Sequence, residues 1–157
     1  MKAGYSVMTG AEVALAAATT KSILGVKAHA NFGLDLLNFA IHALASGTSA
    51  PGFEPILVEL CYATFATQSP GTASTSVTPV QEYGRTIAVG STAARNWTTE
   101  PTVLTVIDEF MVHPQTGWQV WRPFGATPDC AVSQGWVLRC NSDNAVSVRA
   151  MMRYERC

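Results

Sequence analysis

The stretch Ala145-Val-Ser-Val-Arg-Ala-Met-Met-Arg-Tyr154 decides the fold class. Val146, Val148, Ala150, Met152 and Tyr154 fall on one side of an extended chain. Ser147, Arg149, Met151 and Arg153 fall on the other. Side chains alternate across a strand, so this pattern predicts a half-buried β-strand with an apolar core face and an Arg-bearing outer face. Working outward, Ile56, Val58, Leu60 and Tyr62 alternate in the same way against Glu59 and Cys61. Val132, Gln134, Trp136, Leu138 and Cys140 predict a further strand. Trp118–Arg122 predicts a short one behind the turn signal His113-Pro-Gln-Thr-Gly117. Thr102–Val112 is apolar on both faces and predicts a strand enclosed between two layers. Strand-like runs separated by Pro and Gly turns point to an antiparallel sandwich or barrel.

The N-terminal third reads less clearly. Ala11–Ala18 has the alanine content of a helix, but Thr19-Thr20 and Gly25 limit it. Leu34, Leu37, Ile41 and Leu44 fit a helical stripe, while Leu37, Phe39, Ile41 and Ala43 fit a strand. Periodicity alone does not separate the two; the strands elsewhere favour strand. Ala45–Pro55 reads as a loop. So does Gln68–Pro79, a polar run without charge that is either mobile or laid on a partner. No repeat or interdomain linker divides the chain, so residues 1–157 are expected to form one domain, with about 1–12 as an N-terminal arm.

Composition narrows the function. Of the 157 residues, 13% are charged and 48% hydrophobic. An ordinary soluble domain carries roughly 25% charge. Ala, Thr and Ser fill the gap. The net charge of −1 argues against a nucleic-acid partner, which needs a basic field. The late arginines Arg139, Arg149, Arg153 and Arg156 are interleaved with Asp143 and Glu155. No apolar run approaches the ~20 residues of a membrane span. Val13–Ala18 is too interrupted by Glu12 and Thr19 for a cleaved signal.

The search for chemistry finds no signature. His29, His42 and His113 are isolated, and no G-x-S-x-G elbow, metal-ligand spacing or phosphate loop is present. Asp108 and Glu109 are adjacent, and in a strand they point to opposite faces. Glu59 and Glu109 are expected at a sheet edge or interface. Cys61, Cys130, Cys140 and Cys157 form no C-x-x-C pair and read as buried or idle thiols, although a terminal Cys157 has the reach to bridge two subunits. Neither catalytic, cofactor-binding nor metal-ligating residues are expected. Trp118 and Trp121, beside Arg122 and Pro123, read in three ways: sandwich core, interface hot spot, or stacking platform for a glycan.

Several segments together resemble a known group. They are Thr9–Val26 (TGAEVALAAATTKSILGV), Ile56–Ser76 (ILVELCYATFATQSPGTASTS), Thr92–Thr102 (TAARNWTTEPT), Gly135–Arg139 (GWVLR) and Val148–Glu155 (VRAMMRYE). In order along most of the chain, they resemble the small head decoration, or cement, proteins of tailed bacteriophages. That resemblance implies an all-β antiparallel sandwich of jelly-roll or TNF-like form that assembles as a homotrimer. It also implies a place on the outside of the virion capsid, clamping major capsid protein subunits, after synthesis in the bacterial host cytoplasm. It carries no catalytic residues. Cys140 and Cys157 depart from the group and leave open a disulfide-stabilised variant. For the intersubunit surface the expectation falls on Arg149, Met151 and Arg153. For capsid contact it falls on Tyr5 and Met8 in the N-terminal segment and on Thr72 and Ser74 in the polar loop. A receptor- or glycan-binding module of a phage tail or fibre is the alternative.

Overall fold

A computed structural model describes residues 3–44, 54–84, 87–123 and 125–157. The expected loop at Ala45–Pro55 lies largely outside the described residues. The strands in chain order are β1 (Gly4–Met8), β2 (Val13–Leu15), β3 (Lys21–Lys27), β4 (Leu34–Leu44), β5 (Ile56–Ala63), β6 (Thr75–Val77) and β7 (Val80–Tyr83). They continue as β8 (Thr92–Arg95), β9 (Leu104–Val112), β10 (Trp118–Trp121), β11 (Asp129–Cys130), β12 (Gly135–Asn141) and β13 (Val146–Arg156). No helix occurs among the described residues.

The strands form two antiparallel sheets packed face to face, the all-β sandwich expected from the period-two pattern. Sheet A runs β10-β4-β13-β1-β7, with β11 added to β4 and β2 added to β13. Sheet B runs β6-β8-β3-β12-β5-β9. β13 is the spine of sheet A. It pairs with β4 along its length and with β1 and β2 on its other side. Its even-numbered residues face the core as read from sequence: Val148, Met152 and Tyr154 are fully buried. They meet Leu24, Trp136, Leu138, Val58 and Leu60 of sheet B in one cluster. Burying each such side chain is worth about 1.5–3 kcal/mol, which makes this layer the main source of stability.

Four local readings settle or change. Leu34–Leu44 is a strand, because its alternate residues Leu34, Leu36, Phe39 and Ile41 all reach the core once a bulge resets the register near Leu37. Val13–Leu15 is a strand rather than a helix: Val13 and Leu15 are buried and Ala14 is exposed. The N-terminal arm is not one, at least over residues 4–8. β1 is an interior strand between β13 and β7, with Tyr5 and Val7 in the core. Its tyrosine hydroxyl donates to the Ile87 carbonyl at 3.0 Å. Lastly, β9 is not enclosed between layers. It is the free edge of sheet B, and Val106, Ile107 and Met111 are exposed there.

Candidate functional site

The two outer faces of the sandwich are finished differently. On sheet B, Gly25 of β3, Val137 of β12 and Cys61 of β5 stand side by side across the strands. Trp97 lies over Gly25 and Val137. A Cβ at Gly25 would come within 2.8 Å of its ring, so only glycine admits the indole there. Phe65, Ala63 and Ala94 complete a second small core. The segment after Phe65 closes over it: the Trp97 indole donates to the Gln68 carbonyl at 2.9 Å, and Thr98 N–H donates to the Ala73 carbonyl at 2.8 Å. Much of the polar loop is thus tied to its own sheet, and Thr75–Val77 within it pairs with β8 as β6.

The outer face of sheet A carries no such roof among the described residues. Its side chains form rows set by strand register. His42 stands beside Arg149, Ala40 beside Met151 and Met8, and Asn38 beside Arg153 and Ser6. Gln119 and Trp121 of β10 extend the second and third rows. Because Ala40 is small between larger neighbours, a depression of about 450 Å³ opens there. It is lined by Met8, Gly10, Ala40, His42, Arg149 and Met151 among others. Arg149 is exposed and makes no ion pair among the described residues.

Arg153 is held differently. Its Nε lies 2.9 Å from Glu82 Oε1, and its guanidinium stands 6.0 Å from the Trp121 ring centroid. To reach Trp121 it crosses β4 above Asn38. That asparagine is fully buried, and neither its amide nitrogen nor its oxygen has a hydrogen-bond partner. A buried polar group without a partner costs about 1–3 kcal/mol, so the fold carries a local penalty under this bridge.

The residues expected from sequence divide between these places. Arg149, Met151, Arg153 and Met8 come together on the outer face of sheet A, although the sequence points Met8 to the capsid and the other three to a neighbouring subunit. Tyr5 does not join them: it is 1% exposed and points into the core, because it alternates with Met8's face along β1. Thr72 is exposed and Ser74 half-buried, on the loop that serves sheet B. Ser74 Oγ accepts from Gly71 N–H at 3.0 Å. The expected capsid contacts Met8 and Thr72/Ser74 therefore lie on opposite outer faces. Trp118 and Trp121 are also separated. Trp121 is in register with Asn38 on the outer face, and Trp118 is in register with Ile41 and packs on Phe110 at the open edge. Three residues apart on a strand, they cannot share one stacking plane.

The thiols do not pair as Cys140 with Cys157. Cys140 is enclosed in β12, and burial pushes its thiol upward. Cys157 is exposed and lies beside Gly33, to whose carbonyl its N–H donates at 3.2 Å. Burial likewise raises Cys61 to about 11 and Cys130 to about 12, so both stay protonated near neutrality and are poor nucleophiles. Among the described residues, no group of three His, Cys, Asp or Glu side chains is placed to hold a metal ion.

Sequence reasoning missed the role of Trp97, which only the neighbouring Gly25 could have signalled. It also missed the free edge of β9. There Glu109 stands opposite Glu59 in the ladder, and Glu59 is taken by Arg139 at 2.7 Å. Asp108, pointing the other way, pairs with Arg122. Comparison of the chain with protein-family models, with curated proteins and with solved structures gives no match in any of the three.

Proposed function

We propose that this chain is a structural virion protein: a decoration, or cement, protein that binds the outer surface of a phage head as a homotrimer. In this reading it works by contact alone, with no reaction to catalyse. Binding to the assembled shell and not to free subunits stabilises the shell by mass action, increasingly as the free protein concentration rises above its dissociation constant. The observation that carries the reading is the bare outer face of sheet A, with Met8, Met151 and Ala40 around a depression and Arg149 at its rim. Interface cores favour Met, aromatic and Arg residues and exclude most other charge, which matches this face and the low charge of the whole chain. The segments that resemble the phage decoration group support the same reading.

The test is mass measurement by light scattering, followed by binding to heads stripped of decoration. A trimer that saturates the heads is expected. A monomer that leaves them bare overturns the proposal. A second reading, a glycan- or receptor-binding module, is favoured by Trp121, which is 63% exposed with a guanidinium beside it. Its mark is saturable glycan binding that disappears in Trp121→Ala while the fold is retained.

A further inference from the structure

A three-fold ring has no two-fold symmetric contacts. Each subunit must present two different patches, one of which meets the other on its neighbour. We infer that those two patches are the sheet A depression and the free edge of β9, and that Arg149 of one subunit meets Glu109 of the next. This inference rests on the trimer reading above and supplies the surfaces it lacks.

The two patches are complementary in chemistry. The depression joins two methionines, Met8 and Met151, to one cation, Arg149, that has no ionic partner among the described residues. The edge joins Val106, Ile107 and Met111, all exposed, to one anion, Glu109. Glu109 has no ionic partner either among the described residues. Its cross-strand neighbour is another carboxylate, Glu59, already bound to Arg139. Arg139 is thus committed to Glu59, and the exposed Glu109 carboxylate is left for a cation from outside.

The edge is also prepared for side-chain docking rather than strand addition. The register of β9 against β5 shifts between Leu60 and Cys61, leaving Ile107 as a bulge. Bulges on edge strands interrupt the row of backbone groups that another strand would need. The same bulge turns an apolar side chain outward. An edge and a sheet face are different patches, as a heterologous contact requires, whereas two back-to-back faces related by translation would propagate as an open filament.

Charge exchange tests the inference. Glu109→Arg and Arg149→Glu each put like charges in contact, and each should weaken trimer assembly about tenfold or more, while the double variant restores it. Sedimentation across a concentration series reads the change, with circular dichroism of each variant as the control for folding. Both side chains are exposed in the subunit, so the fold itself is not at stake. Weakening in both single variants with recovery in the double supports the pairing. Weakening without recovery overturns the direct contact. Trimers unaffected by either change, including trimers that only lose binding to heads, overturn these patches and leave the trimer reading standing. A wild-type chain that is monomeric throughout removes that reading along with the inference.

Discussion

Trp97 and Trp121 stand on the two outer faces of one sandwich, and their surroundings are opposite. Trp97 is 1% exposed, laid over Gly25 and fastened through its indole to the loop that covers it. Trp121 is 63% exposed, with the Arg153 guanidinium beside its ring. Sheet B thus finishes its outer surface with its own chain, using residues from the segments around Phe65 and Trp97. Sheet A ends in side chains that face outward with no chain above them among the described residues. An apolar sheet face covered intramolecularly contributes to folding. One left open contributes when something else covers it. The contrast separates the part of the molecule that stabilises the subunit from the part available to a partner.

The contrast makes its largest demand at Trp97. Trp97→Ala should cost about 3–5 kcal/mol in a denaturant titration, as expected for emptying a fully buried aromatic site. A loss under 1 kcal/mol would mean that the roof over sheet B is not structural and that the two outer faces do not differ in this way.

Next is the chemistry of Cys61, which is fully buried and stands opposite Val137 in the ladder. A thiol reagent added to the native protein should label Cys157 quickly and Cys61, Cys130 and Cys140 only on unfolding. The buried thiols also set a pH dependence. In the unfolded chain they ionise near pH 9, and in the fold Cys61 ionises at about 11 and Cys130 at about 12. Between those values the unfolded chain binds fewer protons than the fold. Stability should therefore be level below pH 9 and fall as pH rises through that window. Melting temperatures measured from pH 7 to pH 11 check the sign.

A smaller effect is expected at Asn38, on the bare face. Asn38→Leu replaces an unpartnered buried amide with an apolar group of similar size and should raise stability by about 1 kcal/mol. If this gain comes with weaker assembly, the penalty is retained for the function of this face. The smallest effect belongs to Trp121→Ala, within about 0.5 kcal/mol of the parent in stability, as for exposed positions generally. Arg149→Ser with Arg153→Ser should likewise leave the fold intact and shift the oligomeric mass downward. Unchanged mass would put the Arg face outside the interface.

Much of this architecture is legible in the residues, and the limits of legibility are physical. The alternation in Ala145–Tyr154 correctly divides β13 into a core face and an Arg face, because burial on one side of a strand imposes a period of two. The same rule places Asp108 and Glu109 on opposite sides of β9. It fails for Thr102–Val112 as a whole: an apolar edge and an enclosed strand have the same composition and differ only in what lies beside them. It also fails for Tyr5, where a five-residue strand next to glycine looks like a terminal arm until β13 is known to run alongside. Of the candidate surface, Arg149, Met151 and Arg153 are readable as one face of one strand. Met8, Ala40 and His42 are not, since they arrive from β1 and β4.

By itself the sequence determines the class of the fold and the poverty of charge. Both are properties of residues taken in local order: periodicity fixes which side chains share a face, and composition fixes how much surface water can cover. The tertiary structure decides which strands are edges, which outer face is roofed, and which methionines surround Arg149. Those outcomes depend on pairings between distant residues, such as Tyr5 with Tyr154 and Gly25 with Val137. No local pattern encodes them, because a strand's neighbours are chosen by the packing of the whole core rather than by its own alternation.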